Sequence, residues 1–205
     1  CCVGNGNPFV GRWADGFRCG IDIGHGTEWN GQVSSAFWFG MLSRLGVDRF
    51  MFPNIDSIAD YTGYIPENMQ RIWTSFACIS GAHMEYAGLL DKQHPELGPK
   101  TAEAFGWVKL GQLARAVDFP EPLQGNLAPM VWVNRRGRKT WVAVCNWNDR
   151  RASKPLRVKA SDLGVEDLSG RTCREFWSGR PVKLAGKSLA VPAVPKQDAV
   201  VYCVE

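Results

Sequence analysis

The hydrophobic pattern of the chain changes period across residues 118–129, DFPEPLQGNLAP. Upstream, apolar residues recur at helical spacing in GQVSSAFWFGMLSRLG, which stops at Gly46. They do so again in PENMQRIWTSFACI, which opens on a proline and sets Met69, Ile72, Trp73 and Phe76 on one helical face. GPKTAEAFGWVKLGQLARAV reads as a further amphipathic helix, and VDRFMF as a short strand stopped by Pro53. Helices alternating with short apolar strands build a parallel α/β layer. Downstream the runs shorten to strand length. PMVWVNRRGRKTWVAVCNW is two β-branched and aromatic runs about a basic turn with Gly137, a hairpin pattern. LRVKASDL, RTCREFWSG, KSLAVPAV and DAVVYCVE follow, with Gly, Pro and Asp between them. An antiparallel β-sandwich is expected there. A proline-rich connector between unlike textures marks a domain boundary, so the expected division is an α/β unit over 1–119 and a β unit over 120–205.

Composition closes off several functions. A chain of 205 residues that is 45% hydrophobic buries a core rather than remaining disordered. Its net charge of +4 is carried in part by RRGRK at 135–139 and DRRASK at 149–154. Both read as solvated turns, and with no recognition motif beside them no nucleic-acid partner is expected. No apolar run reaches membrane-spanning length, so no membrane partner is expected either. The seven cysteines include no CxxC pair, and no histidines pair at ligand spacing, so no metal site is expected. Cys78 and Cys145 lie in apolar runs as reduced, buried thiols. The opening CCVGNGNPF starts abruptly, like the end of an apolar strand, and is expected to be cut from a longer chain.

The densest chemistry lies in FRCGIDIGHGTEW, residues 17–29, where Arg18, Cys19, Asp22, His25, Glu28 and Trp29 are gathered on glycine-rich backbone. Glycine weakens any helix or strand it interrupts, so the segment is either a solvated loop or the rim of a site. Taken alone, Asp22 reads as a loop or cap residue and Arg18 as its ion-pair partner, or that of Asp15. Trp29 reads equally as core or as a flat platform for the C–H face of a sugar ring.

Three groups of residues resemble the retaining glycoside hydrolases of the α-galactosidase clan, families 27 and 36. FRCGIDI looks like the family's aromatic-Arg-x-x-x-Asp-Ile segment at the end of the sixth strand of a (β/α)8 barrel. CCVGNG looks like the Cys-x-Gly loop after the fifth strand in family 36, and VCNWND, FWSGR and VPKQDAVVYCV look like strands of the C-terminal domain. IPENMQRIWTSFACISGAHMEYAGLL is similar to the seventh helix and eighth strand, with SGAHM where a GAPL-like small-residue segment is usual. PNID at 53–56 replaces the usual Asp-Pro-Asp, so no role passes to Asp56. The family's nucleophilic aspartate, at the end of the fourth strand, has no counterpart.

The resemblance implies an α/β then all-β chain, a partial (half) TIM-type (β/α) barrel followed by an antiparallel β-sandwich. It assigns the proton shuttle of retaining hydrolysis to Asp22 and sugar hydroxyl binding to Arg18, with Cys2 and Gly4 lining the pocket and no cofactor. Retention needs a second carboxyl about 5 to 5.5 Å away, and Asp15, Glu28, Asp56 and Glu85 are the candidates within the chain. His83 reads as packing near the barrel mouth without a ligand role, and His25 is given none. A half barrel exposes edges and an apolar inner face, so a homo-oligomer or a complementing N-terminal half is expected beside the carbohydrate substrate. The alternative is a non-catalytic carbohydrate-binding remnant, or a fragment of a longer glycosidase lacking its nucleophile.

Overall fold

A computed structural model describes residues 14–23, 28–46, 49, 51–58, 65–87, 95–184 and 186–205. The upstream elements are β1 (Gly16–Arg18), α1 (Glu28–Arg44), β2 (Phe52–Ile58), α2 (Glu67–Ser80), β3 (His83–Tyr86) and α3 (Leu97–Phe105). Strands β1, β2 and β3 pair in parallel in that order, so the segment is two successive strand–helix–strand crossovers. One sheet face, with Phe17, Pro53 and Ile55, is buried, and Phe17 and Ile55 share a core with Phe39 of α1 and Phe76 of α2.

Two upstream expectations are corrected. Pro53 lies inside β2 and does not end it. Residues 52 and 54 carry the bonds to β1, Phe52 N–H donating to Asp15 and Asn54 C=O accepting from Cys19. Pairing with β3 starts only at Asn54, so the proline's missing N–H is not needed. The helix read from GPKTAEAFGWVKLGQLARAV also ends early, at Phe105. Gly106 and Gly111 (φ +79°) break it into a loop whose Gly111 N–H bonds Gly81 C=O, and Arg115–Ala116 is already a strand.

The downstream strands are β4 (Arg115–Ala116), β5 (Val131–Arg136), β6 (Lys139–Asn146), β7 (Leu156–Lys159), β8 (Cys173–Glu175), β9 (Ser188–Val191) and β10 (Asp198–Val204). They form a five-stranded antiparallel sheet in the order β4-β5-β6-β10-β8 and a separate β7-β9 pair. The expected hairpin is β5–β6, closed by a turn with Gly137 at φ +62°. Asp118 braces the connector, its carboxylate accepting the N–H groups of Leu123, Met130 and Val131.

Alternation along these strands explains their unbroken apolar runs. Val131, Val133, Val142, Val144, Tyr202 and Val204 face one core with Val158, Leu189 and Val191 of the two-stranded sheet. Their neighbours Trp132, Ala143, Cys145, Ala199 and Val201 face the other core, shared with α1 and α2. A sheet covered on both faces needs apolar residues at every position. Helix α2 is accordingly buried all round from Ile72 to Ser80.

The C-terminus of α2 is fastened from the sheet. Asn134 Nδ2 on β5 donates to the carbonyls of Ile79 and Gln112, both at 2.7 Å, and Arg136 Nη2 donates to Cys78 and Ile79. These donors satisfy carbonyls that a helix end leaves unpaired. The helix closes on Gly81 at φ +76°, where a Cβ would lie 2.1 Å from the Gln112 carbonyl oxygen. Gly81→Ala is therefore expected to cost the roughly 1–2 kcal/mol of a left-handed alanine plus displacement of the 112 backbone. A thermal melt should show a midpoint lower by at least about 2 °C; an unchanged midpoint would mean that the turn relaxes freely.

Candidate active-site cleft

The parallel register sets Arg18, Asn54 and His83 level across the three strands, on the face turned away from the helices. Below and around this row lies a cleft of about 540 Å³, with Asp15, Arg18, Asn54 and His83 as polar walls and Phe52 and Leu110 as apolar ones. Phe52 and Leu110 are 54% and 58% exposed, a large apolar area for a surface that is not covered.

Arg18 ends β1 and lines the cleft. Its Nη1 contacts Asp22 Oδ1 and its Nη2 lies 3.4 Å from Asp56 Oδ1. The two carboxylates differ in setting: the side chain of Asp22 is 86% exposed, whereas that of Asp56 is 13% exposed. Asp56 Oδ2 also accepts the Ile23 N–H at 2.5 Å, so Asp56 pins the loop after β1 onto β2. Arg18 Nε is buried and has no partner among the described residues.

Asp56 holds φ +71°, a left-handed backbone that a non-glycine residue adopts only when its surroundings enforce it. The enforcement is local. The register between β2 and β3 slips between Asn54 and Ser57, and Asn54 Oδ1 accepts the Asp56 N–H at 2.6 Å. A bulge of this kind re-aims one side chain out of the strand's alternation, and here it turns the Asp56 carboxylate to Arg18 and Ile23. Asn54 Nδ2 then meets His83 Nδ1 at 3.1 Å.

The glycine-rich backbone after Arg18 serves close packing. A Cβ on Gly20 would fall 2.9 Å from the Ser35 backbone, so only glycine lets α1 come this near the loop that carries Asp22. Cys19, between them, is buried, and burial pushes its thiol up to about 12, which removes it as a nucleophile.

Arg18 and Asp22 thus converge, and Arg18 brings Asp56 with them. Asp22 does not line the cleft itself; it adjoins it through Arg18. The half-buried ring of Trp29 packs against the core with its centroid 6.0 Å from that of Trp147, and it is not among the described walls of the cleft. Cys2, Gly4 and His25 lie outside the described residues. Of the remaining acidic candidates, Asp15 lines the cleft and Glu85 is exposed on β3. His83, read from the sequence as lacking a ligand role, is exposed and lines the cleft, as does Asn54. Ending the strand at Pro53 hid Asn54 and the bulge that aims Asp56, although the Asn-x-Asp spacing of PNID carried the signal.

No protein-family model matches the sequence, and no curated protein does. Solved structures do match in fold. A GH27 β-L-arabinopyranosidase from Geobacillus stearothermophilus superposes with a TM-score of 0.75 at 16% identity, over 99% of this chain and 48% of that one. The α-galactosidase I of Mortierella vinacea gives 0.68 at 10%, over 96% and 54%. The α-galactosidase of Saccharomyces cerevisiae gives 0.63 at 9%, over 98% and 62%. The chain spans about half the length of the first two. Its fold is that of the GH27 glycosidases over this half, consistent with their C-terminal part and with the resemblance carried by its motifs.

Proposed function

We propose that the chain is the half barrel and β-sandwich of a retaining glycoside hydrolase of α-galactosidase-like type, with Asp22 as acid/base and Arg18 as a sugar-binding residue. The observation that carries this is the meeting of Arg18 with Asp22 and Asp56 at the carboxyl ends of parallel strands, where barrel enzymes place their chemistry. Protonated Asp22 gives its proton to the leaving glycosidic oxygen as the anomeric carbon is attacked by a second carboxylate. It then takes a proton from the water that releases the sugar. Arg18, with its rigid fork of donors, orients the Asp22 carboxyl, and its terminal N–H groups serve the sugar hydroxyls.

The attacking carboxylate is not Asp56, which is spent on Arg18 and the Ile23 N–H. It comes from a complementing N-terminal half or from a second copy that also covers Phe52 and Leu110. That same engagement of Asp56 favours one other reading, a carbohydrate-binding remnant that turns nothing over. Aryl α-galactosides and β-L-arabinopyranosides, followed by proton NMR of the first-formed sugar, test the proposal. Turnover with retained anomeric configuration is expected from an assembly larger than a monomer in sedimentation. Calorimetric binding of galactose without turnover would establish the remnant, and neither binding nor turnover would overturn both.

A further inference from the structure

The row of cleft residues carries a chain of directed hydrogen bonds whose polarity follows from the backbone. The Asp56 N–H can only donate, so the Asn54 atom facing it at 2.6 Å is the carbonyl Oδ1. The amide of Asn54 is then fixed, and the atom it presents to His83, 3.1 Å from Nδ1, is the donor Nδ2. His83 Nδ1 must accept. A ring that accepts at Nδ1 is neutral and carries its proton on Nε2. Nε2 has no partner among the described residues, and the ring is an exposed wall of the cleft.

Charge adds a second constraint. Among the described residues the only cation lining the cleft is Arg18, and it faces two carboxylates, Asp22 and Asp56. Asp15 lines the same cleft, so among the described residues one positive charge stands against three negative ones in and beside it. An anionic ligand meets net repulsion there.

We propose that His83 is a tautomer-locked hydrogen-bond donor, its Nε2–H held ready by the Asp56–Asn54 relay, and that with Asp15 as acceptor it selects a neutral polyhydroxylated ring over an acidic sugar. Each ring hydroxyl both donates and accepts, so one hydroxyl accepts from His83 while another, elsewhere on the ligand, donates to the Asp15 carboxylate. A uronic acid of the same shape brings its own carboxylate into the acidic cleft. Only the naming of the ligand as a sugar rests on the glycosidase reading; the tautomer is a property of the protein alone.

Long-range ¹H–¹⁵N correlation spectra of the histidine rings read the lock directly. The His83 signals, assigned by their loss in His83→Gln, should show the Nε2–H pattern. Asn54→Asp keeps the acceptor for the Asp56 N–H but sets an acceptor against Nδ1, so the proton should move to Nδ1 or the ring become doubly protonated. Asn54→Leu, which removes the donor, should give a mixture of tautomers. An Nδ1–H pattern in the unaltered protein, or one indifferent to both substitutions, overturns the lock. Calorimetry with methyl galactoside and galacturonate then reads the selectivity. The neutral sugar should bind at least about tenfold tighter. His83→Ala should weaken it about threefold to tenfold, and His83→Gln, whose amide nitrogen stands near the place of Nε2, should restore most of the loss. Equal or tighter binding of galacturonate overturns the selectivity. The expected tautomer with no sugar bound upholds the lock and overturns the ligand, and with it the glycosidase reading.

Discussion

Replacing Asp22 with asparagine is expected to lower kcat/KM for an alkyl glycoside by about 10²–10⁴ in whichever assembly of the protein turns over, because general acid–base catalysis contributes that much. Asparagine keeps the shape and an oxygen for Arg18 Nη1, so the guanidinium keeps its contact. What is lost is the transferable proton. The loss should depend on the leaving group: a nitrophenolate departs with little help, so a nitrophenyl glycoside should lose far less in its first step than an alkyl glycoside. It should also flatten the pH profile, since the group that titrates during turnover is gone. If Asp22 only holds Arg18 in place, both substrates will lose equally and the profile will keep its shape. That outcome would remove Asp22 from the chemistry and keep it as an ion-pair partner.

Phe76→Ala is expected to cost about 3–5 kcal/mol, the range for deleting a large buried aromatic side chain. The ring is fully buried on α2 and meets four others, with centroids 5.6 Å from Phe39, 5.4 Å from Trp73, 5.0 Å from Trp132 and 5.8 Å from Trp147. Three elements of different origin converge on it: α1, α2 and the antiparallel sheet. A loss of that size takes a large share of the roughly 5–15 kcal/mol that holds a domain together. Chemical denaturation read by tryptophan fluorescence should show a lower midpoint, with both sheets failing in one transition because Phe76 lies in the core they share. Two separated transitions would mean that the two sheets are stable independently of α2. The cleft should soften as well, since Trp73, one turn from Phe76, donates its Nε1–H to the Ser57 carbonyl of β2.

Most of the elements were legible from residue pattern. The helical stripe Ile72, Trp73 and Phe76 is buried as its spacing required, and the Gly137 turn joins β5 to β6 in the expected hairpin. These features depend on neighbours close in sequence, so period and turn residues reveal them. The errors fell where a distant contact decides. Pro53 ends a strand only if its N–H is needed, and whether it is needed depends on where β3 begins to pair.

The candidate site divides in the same way. The four-residue spacing of Arg18 and Asp22 was readable because both lie in one short loop, and their side chains do meet. The contacts of Asp56 and His83 were not, since they arise from register between strands 29 or more residues apart and from a left-handed backbone at Asp56.

By itself the sequence determined the two textures of the chain, most of the elements within each, and the pairing of a guanidinium with a carboxyl four residues away, because hydrophobic period, turn chemistry and short spacing act locally. Only the tertiary structure decided which of many polar groups share a cleft. That depends on strand register, where a slip of one residue turns a side chain from one face of the sheet to the other.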